Sequence, residues 1–280
     1  MKEELSERAR SDQPTANALM RVDSHAHVVA QHAPLTAERH SEPRHDATVS
    51  EYLATLDSLS ISHAVLTQPS FYGTDNSLLL CALAAHPDRL RGTVIVNPAI
   101  DEVELDALRA GGVCGVRLNW SRLPHLPDIH GYGPLLGRLR DVGLHIELYV
   151  EGAKLAALLP FICDSGVSIV LDHFGSPDPR EGVAGASFRA VLRALERGRC
   201  WVKLSAPYRL GNGVSPVPYA TTLLAAGGAE RLVWGSDWPW VSHEAGRNYA
   251  QLLEALDEWV PDDRSKRAIL STTPASLFGF

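Results

Sequence analysis

The sequence predicts a single (β/α)8 TIM barrel. Three observations carry that prediction. Short apolar, β-branched runs alternate with helical patterns throughout, and such alternation builds parallel βαβ units. About eight units can be counted, the number that closes a barrel. No GxGxxG follows the first strand, which weighs against the main alternative, a doubly wound open sheet.

The strands are expected at 21–29, 63–68, 92–96, 113–119, 144–150, 167–172, 200–205 and 231–236. Helices are expected near 49–60, 75–86, 101–110, 132–143, 152–164, 185–197, 216–226 and 245–259, with a last one near 262–272. Gly111-Gly112, Gly143, Gly166 and Gly227-Gly228 fall at helix ends, where a left-handed residue is wanted. Two long loops, 31–48 and 173–185, each follow a strand and therefore belong to the face where barrel active sites are built. His32, His40 and His45 in the first loop read either as solvated side chains or as metal binders. No linker divides the chain, so one barrel domain is expected over 19–280 behind a polar tail at 1–18.

The bulk properties bound the function. A chain of 280 residues, 45% hydrophobic and 21% charged, is ordinary globular protein with room for a large core. Its net charge of −7 argues against a nucleic-acid partner, and an anion site would need a local arginine cluster. The cysteines at 81, 114, 163 and 200 form no CxxC pair and sit in apolar stretches, which predicts buried free thiols in a reducing cytoplasm. The N-terminus has no apolar core of a signal peptide, and no apolar run approaches the ~20 residues of a membrane span. A cytoplasmic enzyme, monomeric or a small homo-oligomer, is expected.

The chemistry lies at the strand ends. In Asp23-Ser24-His25-Ala26-His27, a strand would put both imidazoles on one face and Val22 and Ala26 on the other. Two histidines so placed suit a metal site or a carbonyl-polarising site, and also suit a satisfied pair with no chemistry. By the same alternation Arg117, Asn119, Glu147 and Tyr149 point into the barrel, with Val116, Leu118, Ile146 and Leu148 outward. The sixth strand ends in Asp172-His173, the seventh gives Lys203-Leu204-Ser205 followed by Arg209, and the eighth ends in Ser236-Asp237-Trp238-Pro239. Arg117, Arg122 and Arg209 near one mouth suggest an anionic ligand, a carboxylate, unless each pairs with an acid such as Asp172, Glu147 or Glu151. Trp238 and Trp240 either wall the pocket or brace its rim.

These motifs carry a resemblance. His25-x-His27, Asp172-His173 and Gly235-Ser236-Asp237-Trp238-Pro239 resemble the amidohydrolase superfamily, in its Amidohydrolase-2 branch of TIM-barrel metal-dependent hydrolases, from about residue 21 to 280. The segments 70–76, 115–119 and 205–209 narrow the resemblance to the 2-pyrone-4,6-dicarboxylate lactonase group. That group also contains sugar-lactone hydrolases and a galactarolactone isomerase.

The resemblance implies a hydrolase that opens a small lactone bearing carboxylates. Arg117, Arg122 and Arg209 would hold the carboxylates, with Ser70, Tyr149 and Asn119 beside them. His25, His27 and His173 would polarise the carbonyl, and Asp237 would deprotonate the attacking water, its pKa raised by partial burial. No metal is expected to be required, since Arg117 stands where metal-dependent relatives place a further ligand. The alternative is one Zn²⁺ on His25, His27, His173 and Asp237. An isomerase using the same pocket, a zinc decarboxylase and a non-catalytic carboxylate-binding barrel remain as further readings.

Overall fold

The computed structural model describes residues 20–37 and 39–280, so the expected tail at 1–18 lies outside it. Eight parallel strands form one sheet in chain order: β1 (Val22–Ala26), β2 (His63–Thr67), β3 (Leu90–Val94), β4 (Val113–Asn119), β5 (His145–Tyr149), β6 (Ile169–Leu171), β7 (Cys200–Ser205) and β8 (Leu232–Gly235). The sheet comes round on itself just beyond β8. The Asp237 N–H donates to the His25 carbonyl at 2.8 Å, and the His27 N–H donates to the Trp238 carbonyl at 2.7 Å. The fold is therefore the (β/α)8 barrel that the strand–helix alternation implies.

The connecting helices are α1 (Val49–Ser58), α2 (Ser77–Ala85), α3 (Glu102–Ala110), α4 (Gly133–Val142), α5 (Gly152–Asp164), α6 (Ala186–Glu196), α7 (Val217–Gly227) and α8 (Tyr249–Glu254). Local chemistry starts and stops them. Thr48 with Glu51 and Asp101 with Glu104 form reciprocal capping boxes at α1 and α3. Gly143, at φ 76°, ends α4 in the left-handed region that a side chain disfavours. Outward-facing Leu, Val and Ile of the strands pack on these helices as the main core.

Three expectations need correction. The strand expected at 21–29 ends at Ala26, because the β1–β2 register shifts between Asp23 and Ala26 and the chain then turns toward Trp238. The single helix expected at 245–259 is broken into α8 and α9 (Leu256–Trp259). The last helix continues past 272: α10 (Asp263–Arg267) leads through a π-turn into α11 (Thr273–Phe278), with Pro274 in its first turn, where proline costs no hydrogen bond. The cysteines differ too. All four are free thiols, but only Cys200 is buried, Cys81 is exposed, and the other two are intermediate, because apolar neighbours in sequence do not fix which helix or strand face a thiol takes. Among the described residues, no helix is long and apolar enough to cross a membrane.

The barrel interior is apolar at its floor and charged above it. Val65, Val233 and Phe278 plug the bottom. His145 lies over this plug, its ring 5.6 Å from that of Phe278. It fits only because residue 115 is glycine, where a Cβ would stand 2.3 Å from His145 Nε2. Above them Lys203, Glu147 and Asp172, all fully buried, meet Arg117.

Candidate active site

The deepest layer is a balanced ionic cluster. Lys203 Nζ donates to Glu147 Oε2 at 2.6 Å and to His25 Nδ1 at 2.8 Å, and pairs with Asp172 Oδ1 at 3.2 Å. Arg117 donates through Nη2 to Asp172 Oδ2 at 3.0 Å and through Nη1 to the Gln68 carbonyl at 3.0 Å, and its Nε lies 3.2 Å from Glu147 Oε1. Two cations thus face two anions. Burial alone would lift the Asp172 carboxyl, but Lys203, His25 and Arg117 hold it well below its ordinary range.

A second layer centres on Asp237. Its Oδ1 lies 3.4 Å from His25 Nε2 and 3.3 Å from His27 Nε2. Its Oδ2 accepts from Arg209 Nη2 at 3.1 Å and from the Tyr208 hydroxyl. Burial is the largest influence on this carboxyl and acts upward. Arg209, His173, His25 and His27 together outweigh it and hold the group well below the usual carboxylate range. This corrects the expectation that burial would raise it: a buried carboxylate held by a guanidinium and by hydrogen bonds becomes easier to ionise. Burial presses His27 and His173 the other way, toward the neutral ring. For His25, burial and Lys203 press downward, but Asp172 and Asp237 prevail and raise it.

The mouth gathers most of the residues singled out from the sequence. His27, Ser70, Arg117, Asn119, Arg122, Tyr149, His173, Arg209 and Asp237 line one pocket, together with His40 and His243. His25 lies just beneath it, fully buried. The three arginines differ. Arg117 is bound to Asp172 and Glu147, and Arg209 to Asp237, whereas exposed Arg122 has no ion pair among the described residues. Asn119 Oδ1 accepts from Ser121 Oγ at 2.8 Å, and His173 Nδ1 lies 2.9 Å from Ser205 Oγ. Trp238 stacks on Tyr52 with ring centroids 5.0 Å apart, and Trp240 Nε1 donates to the Ser236 carbonyl, so both brace the rim.

Several residues of the site escaped the sequence reading. Lys203 was visible as a charged residue within an apolar strand, but nothing local names its partners. Tyr208 sits in a short 3₁₀ turn (Pro207–Leu210) with no periodic signal. Asp23 was hidden by the irregularity in β1, because strict alternation would put it on the face of His25. The shifted register turns Asp23 outward instead. There it accepts from the Tyr52 and Tyr249 hydroxyls at 2.7 Å each, the Ser236 hydroxyl at 2.6 Å and the Ser236 N–H at 2.9 Å. One carboxylate thereby ties β1, β8, α1 and α8 together directly behind the pocket.

The donor set also permits a test for a metal ion. Atoms of His25, His27 and Asp237 lie within 4.8 Å of one another, as do those of His25, Asp172 and His173. A catalytic zinc takes lone pairs from about three such ligands. His27 meets the requirement. Its Nδ1 lies 2.6 Å from the Thr67 carbonyl, which can only accept, so the proton is on Nδ1 and the lone pair on Nε2. His25 does not, because its Nδ1 accepts from Lys203 and the ring proton must then sit on Nε2, the atom nearest Asp237. As hydrogen-bonded here, the residues do not fit the ion.

A (β/α)8 barrel with two histidines leaving β1, a histidine after β6 and an aspartate after β8 defines a class of barrel hydrolases. The match to the Amidohydro_2 (amidohydrolase) family spans residues 22–280, and the chain belongs to that family. It is 31% identical to a 2-pyrone-4,6-dicarboxylate hydrolase of Comamonas testosteroni, over 78% of this chain and 76% of that one. It is 28% identical to a 4-sulfomuconolactone hydrolase of Hydrogenophaga intermedia, over 92% and 88%. A crystal structure of a probable 2-pyrone-4,6-dicarboxylic acid hydrolase from Acinetobacter baumannii, with citric acid bound, superposes with a TM-score of 0.87 at 33% identity. That match covers 93% of this chain and 99% of the other.

Proposed function

We propose that the protein hydrolyses the ester bond of a small lactone bearing one or more carboxylates. One observation carries the reading: among the described residues, three guanidinium groups and a single carboxylate line the pocket of a chain whose net charge is −7. Such a mouth is completed by an anion. The names of the relatives, two hydrolases of anionic lactones, support the same substrate class.

In this reading Arg122, which has no ion pair among the described residues, and Arg209 hold the substrate carboxylates, with Arg117, Ser70, Tyr149 and Asn119 completing the wall. The N–H groups of His25 and His173 face the oxyanion that forms when water adds to the carbonyl, a preorganised arrangement that needs no rearrangement in the transition state. Arg209 and Tyr208 keep Asp237 in place. Asp237 takes the proton of the attacking water and returns it to the leaving oxygen.

A carboxylate held well below its ordinary range is a poor base, and the anionic substrate supplies the remedy. When a substrate carboxylate engages Arg209, it weakens the cation's hold on Asp237 Oδ2, and the basicity of Asp237 rises only in the occupied site. The expected result is an acid limb of kcat at higher pH than that of kcat/KM, since the former reports the complex and the latter the free enzyme. Coincident limbs would remove this step.

The direct test is a pH-stat assay on a panel of carboxylate-bearing lactones, beginning with 2-pyrone-4,6-dicarboxylate. Release of one acid per substrate supports hydrolysis. Conversion without acid release would replace it with an acyl-shifting isomerase, and no conversion of any anionic lactone would overturn the reading. The expected setting, a cytoplasmic enzyme acting on a small molecule, belongs to this proposal.

A further inference from the structure

Lys203 is a fully buried charged group that the proposed chemistry does not use. It emerges from the middle of β7 onto the barrel axis, with no exposure. Its position against His25 has a chemical consequence. An ammonium carries three protons and no lone pair, so it can only donate. Two carboxylates stand beside it, Glu147 Oε2 at 2.6 Å and Asp172 Oδ1 at 3.2 Å. Its remaining contact is His25 Nδ1 at 2.8 Å. That nitrogen must accept, and the imidazole then has one place left for its proton, Nε2.

The surroundings of His25 agree. Asp172 Oδ1 also lies 3.2 Å from Nδ1, but Lys203 at 2.8 Å is the nearer partner, and it stands between that nitrogen and the carboxylates as a donor to both. In metal sites of imidazoles the reverse arrangement is usual: a carboxylate or carbonyl accepts from one ring N–H and leaves the other nitrogen bare for the ion. His27 has that usual arrangement, through Thr67. His25, one pleat away, has the opposite one.

We propose that Lys203 is a positioning residue that fixes His25 as the Nε2–H form, making it a hydrogen-bond donor toward the pocket and withholding the strand-1 lone pair that a metal ion would need. Glu147 holds Lys203 on station from β5, and Arg117 balances the second carboxylate, so the four charges act as one unit. The inference rests on hydrogen-bond direction alone and stands whether or not the substrate is a lactone.

The decisive measurement is the imidazole spectrum of His25 in the intact wild-type protein. With histidine-selective ¹⁵N labelling and assignment by difference from His25→Gln, long-range ¹H–¹⁵N correlations read which ring nitrogen carries the proton. The expected result is a proton on Nε2 of His25 and on Nδ1 of His27. A bare Nε2 on His25 would overturn the proposal without any variant at Lys203.

The second arm is the double variant Lys203→Met, Glu147→Gln, which removes one cation and one anion and leaves Arg117 facing Asp172. His25 should then turn its proton to Nδ1, toward Asp172. Zn²⁺ titration, followed by the shifts of the His25 and His27 signals, should show binding at least tenfold tighter than in the wild type. Equal affinity in a folded double variant would overturn the proposal. If the double variant does not fold, the wild-type spectrum decides alone.

Discussion

The two charged layers of the barrel are built from the same residue types and end in opposite states. Deep inside, Lys203 and Arg117 face Glu147 and Asp172, two cations against two anions, all buried and mutually bonded. At the mouth, Arg122 and Arg209 face Asp237, two cations against one anion. The deep layer balances its own charges, and its proposed work is to orient the histidine above it. Among the described residues the mouth is left one negative charge short, and in the proposed function a ligand supplies it. Charge inside a barrel thus marks a binding site only where the protein's own partners run out.

Four substitutions or conditions separate the layers. Asp237→Asn should lower kcat by about 10³-fold while the thermal midpoint stays within a few degrees, as for loss of a general base. Turnover within tenfold of wild type would remove Asp237 from the chemistry. Lys203→Met alone should act on the fold, since it leaves Glu147 and Asp172 facing one arginine. The expected cost is about 3–5 kcal/mol in denaturant unfolding, the usual cost of an uncompensated buried charge.

Arg122→Met should do the reverse. Stability should change by less than about 0.5 kcal/mol, as at ordinary surface positions. The KM for an anionic lactone should rise roughly tenfold or more, in line with a lost charged hydrogen bond. An unchanged KM would take Arg122 out of the anion site.

The smallest effect concerns the layer beneath both. Burial pushes the His145 imidazole down to about 4 from its ordinary 6.5. The unfolded chain binds this proton near 6.5 and the folded one only near 4, so protons favour unfolding in that window. The contribution is full above pH 6.5 and is lost as the pH falls toward 4, on the order of 3 kcal/mol in all. Asp172 and Asp237, held below their ordinary range, act only at lower pH, where their stabilisation is lost as they protonate. Melting temperatures between pH 4 and 7 should therefore slope less steeply in His145→Gln than in wild type, and parallel slopes would count against this account.

The fold was legible because eight βα units repeat one pattern, and repetition survives errors of two or three residues at any boundary. The mouth was legible because polar residues at strand ends are conspicuous: His27, His173, Arg117, Arg209 and Asp237 all line one pocket, as their positions required. What the sequence hid depends on angles and on distance along the chain. Lys203 meets His25 across 178 residues, and no local pattern tells which nitrogen it reaches. Whether Arg117 serves a substrate or two protein acids likewise turns on the register of β4 against β5, which pairs Arg117 with Glu147. Asp23 was misplaced by alternation because a single register shift reverses a face.

The ring of strands is completed by amides that belong to the site. The Asp237 N–H on the His25 carbonyl and the His27 N–H on the Trp238 carbonyl close the seam between the last strand and the first, and Asp23 clasps it from behind. Hydrogen exchange at those two amides therefore requires the seam to part, and parting it separates His25 and His27 from Asp237. In the proposed function local opening here would be inactivation, and a bound anion that bridges the mouth should slow exchange at both amides together.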